Sequence, residues 1–167
     1  KEYQAQAIME YNFKKQGSEY PGYPSIVGAS ENACVLHYVT NLKLINDGDL
    51  LLSDCAAEYH GYTADVTRTV PANGKFSPEQ KLIYELVLAA QEAGIAACKP
   101  GAPFASVDAA ARAVVNKGLV ALGIVATEAE ARKYFPHGTS HHLGLDVHDM
   151  GPRTLDPGVV LTVEPGI

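Results

Sequence analysis

Two aspartates on neighbouring apolar segments are placed to share a cation. Asp54 directly follows three leucines and a serine, residues 50–53, in a segment typical of a buried strand. If the next turn is centred between Tyr59 and His60, Asp54 lies directly opposite Asp65 in a hairpin. Directly opposed like charges destabilise a sheet, so either one carboxyl group is protonated or a cation lies between them. A solvated strand edge is the alternative, and the apolar run before Asp54 disfavours it.

Histidines are concentrated in one short stretch near a further acidic residue. Four of the six histidines fall within twelve residues: His137, His141, His142 and His148. Such a cluster indicates metal ligands or proton carriers, with a surface or core histidine as the alternative for each one alone. That alternative is strongest for His142, since one of two adjacent side chains usually points away. Glu164 ends the apolar run 159–163, where a carboxylate is more often a ligand or base than a spectator.

Together these side chains are a set of hard oxygen and nitrogen donors without a thiolate. Such a set suits Mn²⁺, Fe²⁺, Co²⁺ or Zn²⁺ rather than a cysteine-rich structural zinc site. Several carboxylates allow two cations to lie close together and to share a bridging water. Because two cations lower the pKa of that water, hydroxide becomes available near neutral pH. The predicted chemistry is therefore hydrolysis of an amide.

The elements that carry these side chains follow from periodicity and turn residues. Ser77, Pro78 and Gln80 supply an N-cap, a proline at the first helical position and a capping-box partner. Helices are predicted over 2–16, 77–98 and 106–122, with a short one opening at Thr127, and strands over 50–56, 62–70 and 159–164. This order predicts an α+β arrangement with helices on one face of a mostly antiparallel sheet.

Composition argues against nucleic-acid and membrane partners. The formal net charge is −6, from 13 basic and 19 acidic residues, which disfavours a broad nucleic-acid surface. No apolar run approaches the roughly 20 residues of a membrane span. Cys34, Cys55 and Cys98 are odd in number and lack CxxC spacing, which favours reduced thiols in the cytoplasm. A nucleophilic Cys55 beside Asp54 is the alternative, but nothing nearby marks it as activated.

The chain resembles the pita-bread metallopeptidases of the M24 type. The matching stretches are YPSIVGASENACVLHY, DCAAEYHGYTADVTRTVPANGKFSPEQ, HGTSHHLGLDVHD and LDPGVVLTVEPG. The resemblance implies a curved, mostly antiparallel sheet with helices packed on its outer face. The SHHLG form of the histidine motif is most similar to the Xaa-Pro aminopeptidase branch, since prolidases tend to have glycine before the ligand histidine. Methionine aminopeptidases lack the LDVHD continuation.

The resemblance also implies a role for each candidate residue. Asp54 is a ligand of one metal, Asp65 bridges two, and His141 is the single nitrogen ligand. Glu164 is a ligand of the His141 metal and accepts the proton of the bridging water. His37 and His148 hold the scissile carbonyl and stabilise the tetrahedral intermediate, and His137 forms a wall of the substrate pocket. No role is implied for His142.

The resemblance extends beyond the sequence at both ends. The family's fifth ligand is a bridging glutamate on a strand after the EPG motif, and the family carries a separate amino-terminal domain. We therefore interpret 1–167 as a truncated catalytic domain, incomplete at both ends. We expect the chain alone to bind metal weakly and to have little or no peptidase activity.

The predicted activity is metal-dependent removal of the first residue from peptides with proline in second position. Two divalent cations are expected, Mn²⁺ first, with Co²⁺, Zn²⁺ or Fe²⁺ as alternatives. A dipeptidase restricted to Xaa-Pro substrates is the alternative enzyme, and a non-catalytic peptide- or protein-binding family member is the alternative class. The retained ligand residues disfavour that class and a metal-free hydrolase. The resemblance also implies a homo-oligomer for the full-length protein.

Overall fold

The computed structural model describes all residues, Lys1–Ile167, and divides into two compact units. The first unit comprises residues 1–77 and 143–149, and the second comprises 78–142 and 150–167. Helices and antiparallel strands follow one another in the predicted order, so the predicted α+β class is confirmed.

The first unit contains one helix and two small antiparallel sheets. The helix α1 spans Glu2–Lys15, and a 3-10 helix spans Ser30–Cys34. The strands are β1 (Tyr20–Pro21), β2 (Ile26–Ala29), β3 (Leu50–Asp54), β4 (Ala57–Tyr59), β5 (Tyr62–Thr63) and β6 (Thr67–Pro71). One sheet has the order β1-β4-β5, and the other has the order β2-β3-β6. The centre of the second sheet is therefore β3, the strand that ends at Asp54.

The bounds of α1 agree with the sequence prediction, but its buried residue is polar. The helix ends before Gly17, whose φ of 99° is the left-handed conformation that favours glycine. The large apolar side chains Tyr3, Ile8 and Tyr11 of this helix are exposed. Glu2 is instead fully buried, and its carboxylate accepts hydrogen bonds from the last amide of β2, that of Ala29, and from the Lys43 amide.

The predicted register of the hairpin is wrong by two residues on the partner strand. Asp54 pairs with Thr67, and Tyr59 pairs with Tyr62, so Asp54 does not lie directly opposite Asp65. The turn is centred between His60 and Gly61, whose φ angles of 52° and 86° are both positive. Positive φ at both central residues is the requirement of a two-residue hairpin turn. The two aspartates are therefore diagonal neighbours on one face.

The second unit is organised around two helices. The helix α2 spans Pro78–Ala97, α3 spans Ala105–Ala121, and the predicted short helix is a 3-10 turn over Glu128–Lys133. Gly118 of α3 allows the two helices to approach, because a Cβ atom there would lie 2.2 Å from a methyl carbon of Leu86. The core cluster of this unit consists of Ala90, Ala111, Val115, Leu119, Val125, Ala131 and Phe135.

The strand predicted over 159–164 is present only as a single bridge, between His142 and Leu161. The pairing continues as backbone hydrogen bonds from Thr162 to the His141 carbonyl, 2.9 Å, and from Glu164 to the Thr139 carbonyl, 2.8 Å. An extended segment thus pairs with the histidine-bearing segment without forming a regular strand. This pairing places His141 and Glu164 side by side.

Candidate functional site

Asp54 and Asp65 converge on the hydroxyl of Tyr23 within the first unit. The Tyr23 hydroxyl lies 2.5 Å from Asp54 Oδ1 and 3.0 Å from Asp65 Oδ1. Burial and the two carboxylates raise the pKa of Tyr23 well above its usual range, so the phenol is protonated at neutral pH. It has only one proton to donate to two acceptors. Tyr23 holds the two aspartates close together, but a neutral phenol does not offset their negative charge. A divalent cation bound between them would offset it.

His141 and Glu164 form the corresponding pair of the second unit. His141 Nε2 lies 2.9 Å from Glu164 Oε1, and both side chains are partly buried. His141 Nδ1 lies 3.0 Å from the His142 carbonyl oxygen, which can only accept a hydrogen bond, so Nδ1 carries a proton. In the neutral imidazole Nε2 is then an acceptor that faces a carboxylate oxygen. A protonated imidazole or a bound cation makes this contact favourable.

The Thr162 hydroxyl joins the two members of this pair. It donates to Glu164 Oε1 at 2.8 Å and accepts from the His141 backbone amide at 3.0 Å. Thr162 is itself buried, so both bonds are shielded from water. The hydroxyl therefore holds the Glu164 carboxylate in the orientation that faces His141.

His137 lies beside the turn that follows Glu164. A Cβ atom on Gly166 would lie 3.0 Å from His137 Nε2, so the imidazole packs against the glycine backbone. The ring also makes an edge contact with Phe135, at 4.9 Å between centroids. The sequence prediction makes His137 a wall of the substrate pocket.

His37 and His148 approach each other within the first unit, with ring centroids 6.2 Å apart. His37 has a positive φ of 55°, and both residues are exposed. Segment 143–149, which carries His148, is attached to the hairpin by the Thr63 amide, which donates to the Gly144 carbonyl at 2.9 Å. Two neighbouring exposed imidazoles can donate hydrogen bonds to one carbonyl oxygen of a substrate.

His142 has a packing role that the sequence did not indicate. Its ring stacks on Phe104, with centroids 4.6 Å apart. Its Nε2 lies 3.0 Å from the Pro152 carbonyl, and a Cβ atom on Gly151 would lie 2.3 Å from the ring. His142 therefore secures the segment after Met150, whereas its neighbour His141 faces Glu164.

Sequence reasoning missed two side chains that position the candidate residues: Tyr23 and Thr162. The sequence could have indicated Thr162, because side chains two residues apart in an extended segment lie on the same face, here the face of Glu164. Tyr23 lies 31 and 42 residues from its two partners, and no local pattern reports such a contact.

The donor chemistry fits a divalent metal within each unit. The first unit supplies two carboxylates, and the second supplies an imidazole nitrogen and a carboxylate, the ligand types of Mn²⁺, Fe²⁺, Co²⁺ and Zn²⁺. Neither pair contains a cysteine. Burial also raises the pKa of the Cys55 thiol, next to Asp54, to about 11, so this thiol is protonated at neutral pH. All three cysteines are free. None of the helices combines the length and the hydrophobicity that a membrane-spanning segment needs.

Comparison with known proteins gives consistent relatives. The family model for metallopeptidase family M24 matches residues 1–167. The chain is 42% identical to an Xaa-Pro aminopeptidase of Escherichia coli strain K12, over 99% of this chain and 41% of that protein. A second Xaa-Pro aminopeptidase, from Haemophilus influenzae, is 41% identical over 99% of this chain and 42% of that protein.

Comparison with solved structures also finds an aminopeptidase. The chain is similar to Pseudomonas aeruginosa aminopeptidase PepP, with a TM-score of 0.95 and 44% identity. That alignment covers 98% of this chain and 40% of the other. The chain thus spans about two fifths of the length of these relatives.

Proposed function

Because the chain belongs to metallopeptidase family M24, we propose that its protein is a metal-dependent aminopeptidase that removes the residue in front of a proline. Residues 1–167 are proposed to lie within its catalytic domain. The observation that carries the proposal is the His141 and Glu164 pair, in which the contact of Nδ1 with the His142 carbonyl turns Nε2 towards the carboxylate. The named activity of the similar proteins from E. coli and H. influenzae supports the choice of substrate.

Asp54, Asp65, His141 and Glu164 are the proposed metal ligands. Two divalent cations, Mn²⁺ first, would lower the pKa of a shared water and polarise the scissile carbonyl. Tyr23 keeps the two aspartates together, and Thr162 keeps Glu164 turned towards His141.

The remaining proposed roles belong to protein groups that meet the substrate. Glu164 accepts the proton of the attacking water and passes it to the leaving proline nitrogen. His37 and His148 donate hydrogen bonds to the carbonyl oxygen, and these bonds strengthen as that oxygen becomes an oxyanion. His137 forms a wall of the pocket. The free cysteines support a cytoplasmic location, and the homo-oligomeric state stays a prediction.

The test is release of the first amino acid from an Xaa-Pro-Xaa tripeptide by the protein that carries this chain. The matched substrates are Xaa-Ala-Xaa and the dipeptide Xaa-Pro, assayed after chelation and after addition of Mn²⁺. Activity that requires metal and selects Xaa-Pro-Xaa supports the proposal. Cleavage of the dipeptide alone would identify a dipeptidase instead. Mn²⁺ binding with no cleavage of any peptide would identify a non-catalytic member of the family.

A further inference from the structure

Helix α3 carries an ion pair that does not behave as a surface pair. Arg112 Nε donates to Asp108 Oδ2 at 2.7 Å, one helical turn away, and both side chains are partly buried. Exposed pairs at this spacing contribute little to the stability of a helix. The remaining atoms of this pair, however, are directed away from the helix.

The Arg112 guanidinium binds the segment that leads to the histidine motif. Nη1 donates to the Phe135 carbonyl at 2.8 Å, and Nη2 donates to the His137 carbonyl. The guanidinium also lies over the Phe135 ring, 4.4 Å from its centroid, and Phe135 is buried. Arg112 thus uses three directed N–H groups and one stacked face, a combination that lysine cannot reproduce.

The other carboxylate oxygen of Asp108 binds the next part of the same segment. Asp108 Oδ1 accepts from the Thr139 amide at 3.0 Å and from the Thr139 hydroxyl at 2.8 Å. Thr139 is fully buried, and its carbonyl accepts the Glu164 amide at 2.8 Å. A continuous set of bonds therefore runs from α3 through Thr139 to the backbone of Glu164.

We infer that Asp108 and Arg112 are positioning residues that set the conformation of segment 135–141 and so the places of His137 and His141. The inference rests on the proposed function for the roles of those two histidines. Segment 135–141 contains no helix or strand of its own, so its carbonyls and amides depend on partners from elsewhere. The pair supplies partners for three of these backbone groups: the Phe135 and His137 carbonyls and the Thr139 amide. The same Asp108 oxygen also accepts from the Thr139 hydroxyl.

The pair is ionised in the neutral range, as this role requires. Burial opposes the charge of Asp108, but hydrogen bonds from Arg112 and Thr139 keep its pKa below the ordinary value of 3.8. An amide in place of the carboxylate would direct an N–H group at either Arg112 or Thr139.

The test compares Arg112→Lys and Asp108→Asn with the matched control Lys81→Met. Lys81 forms an exposed pair with Glu85 at the same spacing on α2, so its loss reports only on a solvated charge. Readouts in the protein that carries this chain are the Mn²⁺ dissociation constant by calorimetry, kcat and KM on Xaa-Pro-Xaa, and amide exchange over 135–141.

We expect Arg112→Lys and Asp108→Asn to lower kcat/KM or Mn²⁺ affinity about 10- to 100-fold, the usual effect of losing a group that orients a metal ligand. Arg112→Lys is expected to act mainly on KM, because its guanidinium holds the His137 carbonyl. Amide exchange should accelerate over 135–141 and not over α2. The control should change none of these values by more than twofold.

Unchanged Mn²⁺ affinity, kinetics and exchange in both variants would overturn the inference. Loss of global stability without a selective effect on 135–141 would also overturn it, since the pair would then be a general structural contact. Thr139→Val, which removes a single hydroxyl, keeps the question open to test if the charge variants do not fold, and a 3- to 10-fold loss of Mn²⁺ affinity is expected. If the parent protein binds Mn²⁺ and cleaves no peptide, the proposed function fails, while the metal and exchange readouts still decide the inference.

Discussion

Replacing Glu2 by glutamine tests how a buried carboxylate organises the first unit. Glu2 Oε1 accepts from the Ala29 amide at 2.7 Å and from the Asn32 side chain at 3.1 Å. Oε2 accepts from the Tyr38 hydroxyl at 2.9 Å and from the Lys43 amide at 2.8 Å. Burial opposes the charge, but these four bonds outweigh it and lower the pKa of Glu2 below 4.5. Four donors around one residue can be satisfied only by a carboxylate.

Glutamine has the same shape but places an NH₂ group at one of the two oxygen positions. At the Oε1 position it meets the Ala29 N–H, and at the Oε2 position it meets the Lys43 N–H, so one backbone donor is always unpaired. An unpaired buried donor costs about 1–3 kcal/mol, and each remaining bond loses roughly 1 kcal/mol with its charged acceptor. The lower desolvation cost of the neutral amide offsets part of this. We expect a net loss of about 3 kcal/mol in the free energy of unfolding.

Urea denaturation at pH 7 measures this loss, with Glu19→Gln as the control that removes the same charge from an exposed position. The control should change stability by less than about 0.5 kcal/mol. Because the folded pKa of Glu2 is depressed, its contribution is present above about pH 4.5 and is lost as pH falls through the lower folded value. The gap between the parent protein and Glu2→Gln should therefore narrow below that pH. A loss equal to that of the control, or a gap that does not change with pH, would refute this reasoning.

Three further predictions concern the candidate site. Tyr23→Phe removes the one donor shared by two carboxylates, so calorimetry should find Mn²⁺ affinity reduced about 10-fold; unchanged affinity would mean that Tyr23 does not orient the ligands. His141→Ala should lower metal content and turnover by orders of magnitude. His142→Phe keeps the stack on Phe104, so its metal content and peptide turnover should stay within about 10-fold of the parent protein. Equal effects of the two substitutions would contradict the assignment of His141 as the ligand. His148→Ala should retain its metal and lose about 10²–10³ in kcat, and loss of metal would instead identify His148 as a ligand.

The sequence by itself determined the helices, the donor types and the family. Pro78 after Ser77 predicted the start of α2. The predicted ends of α1 and α3, residues 16 and 122, lie one residue beyond the observed ends, Lys15 and Ala121. These signals are local, because capping and positive φ depend on residues within one turn of each other. The metal-binding chemistry was likewise predicted from residue types alone, because carboxylates and imidazoles are the donors that such metals prefer.

Tertiary structure decided which of these groups meet within each unit. Asp54 was predicted opposite Asp65, but the turn at His60 and Gly61 shifts the register by two residues on the partner strand. The two aspartates are joined instead by the hydroxyl of Tyr23. A hairpin register depends on which residues adopt positive φ, and neighbouring turn centres are nearly equal choices in the sequence.

The long-range hydrogen bonds of Arg112 and Glu2 could not be predicted from local sequence patterns either. Arg112 reaches carbonyls 23 and 25 residues away, and Glu2 binds the Lys43 amide 41 residues away. Backbone carbonyls and amides are the same at every position, so no residue type marks the one that a distant side chain will bind. Only the packing of the folded chain selects it, because a buried polar group must find whichever partner lies within reach.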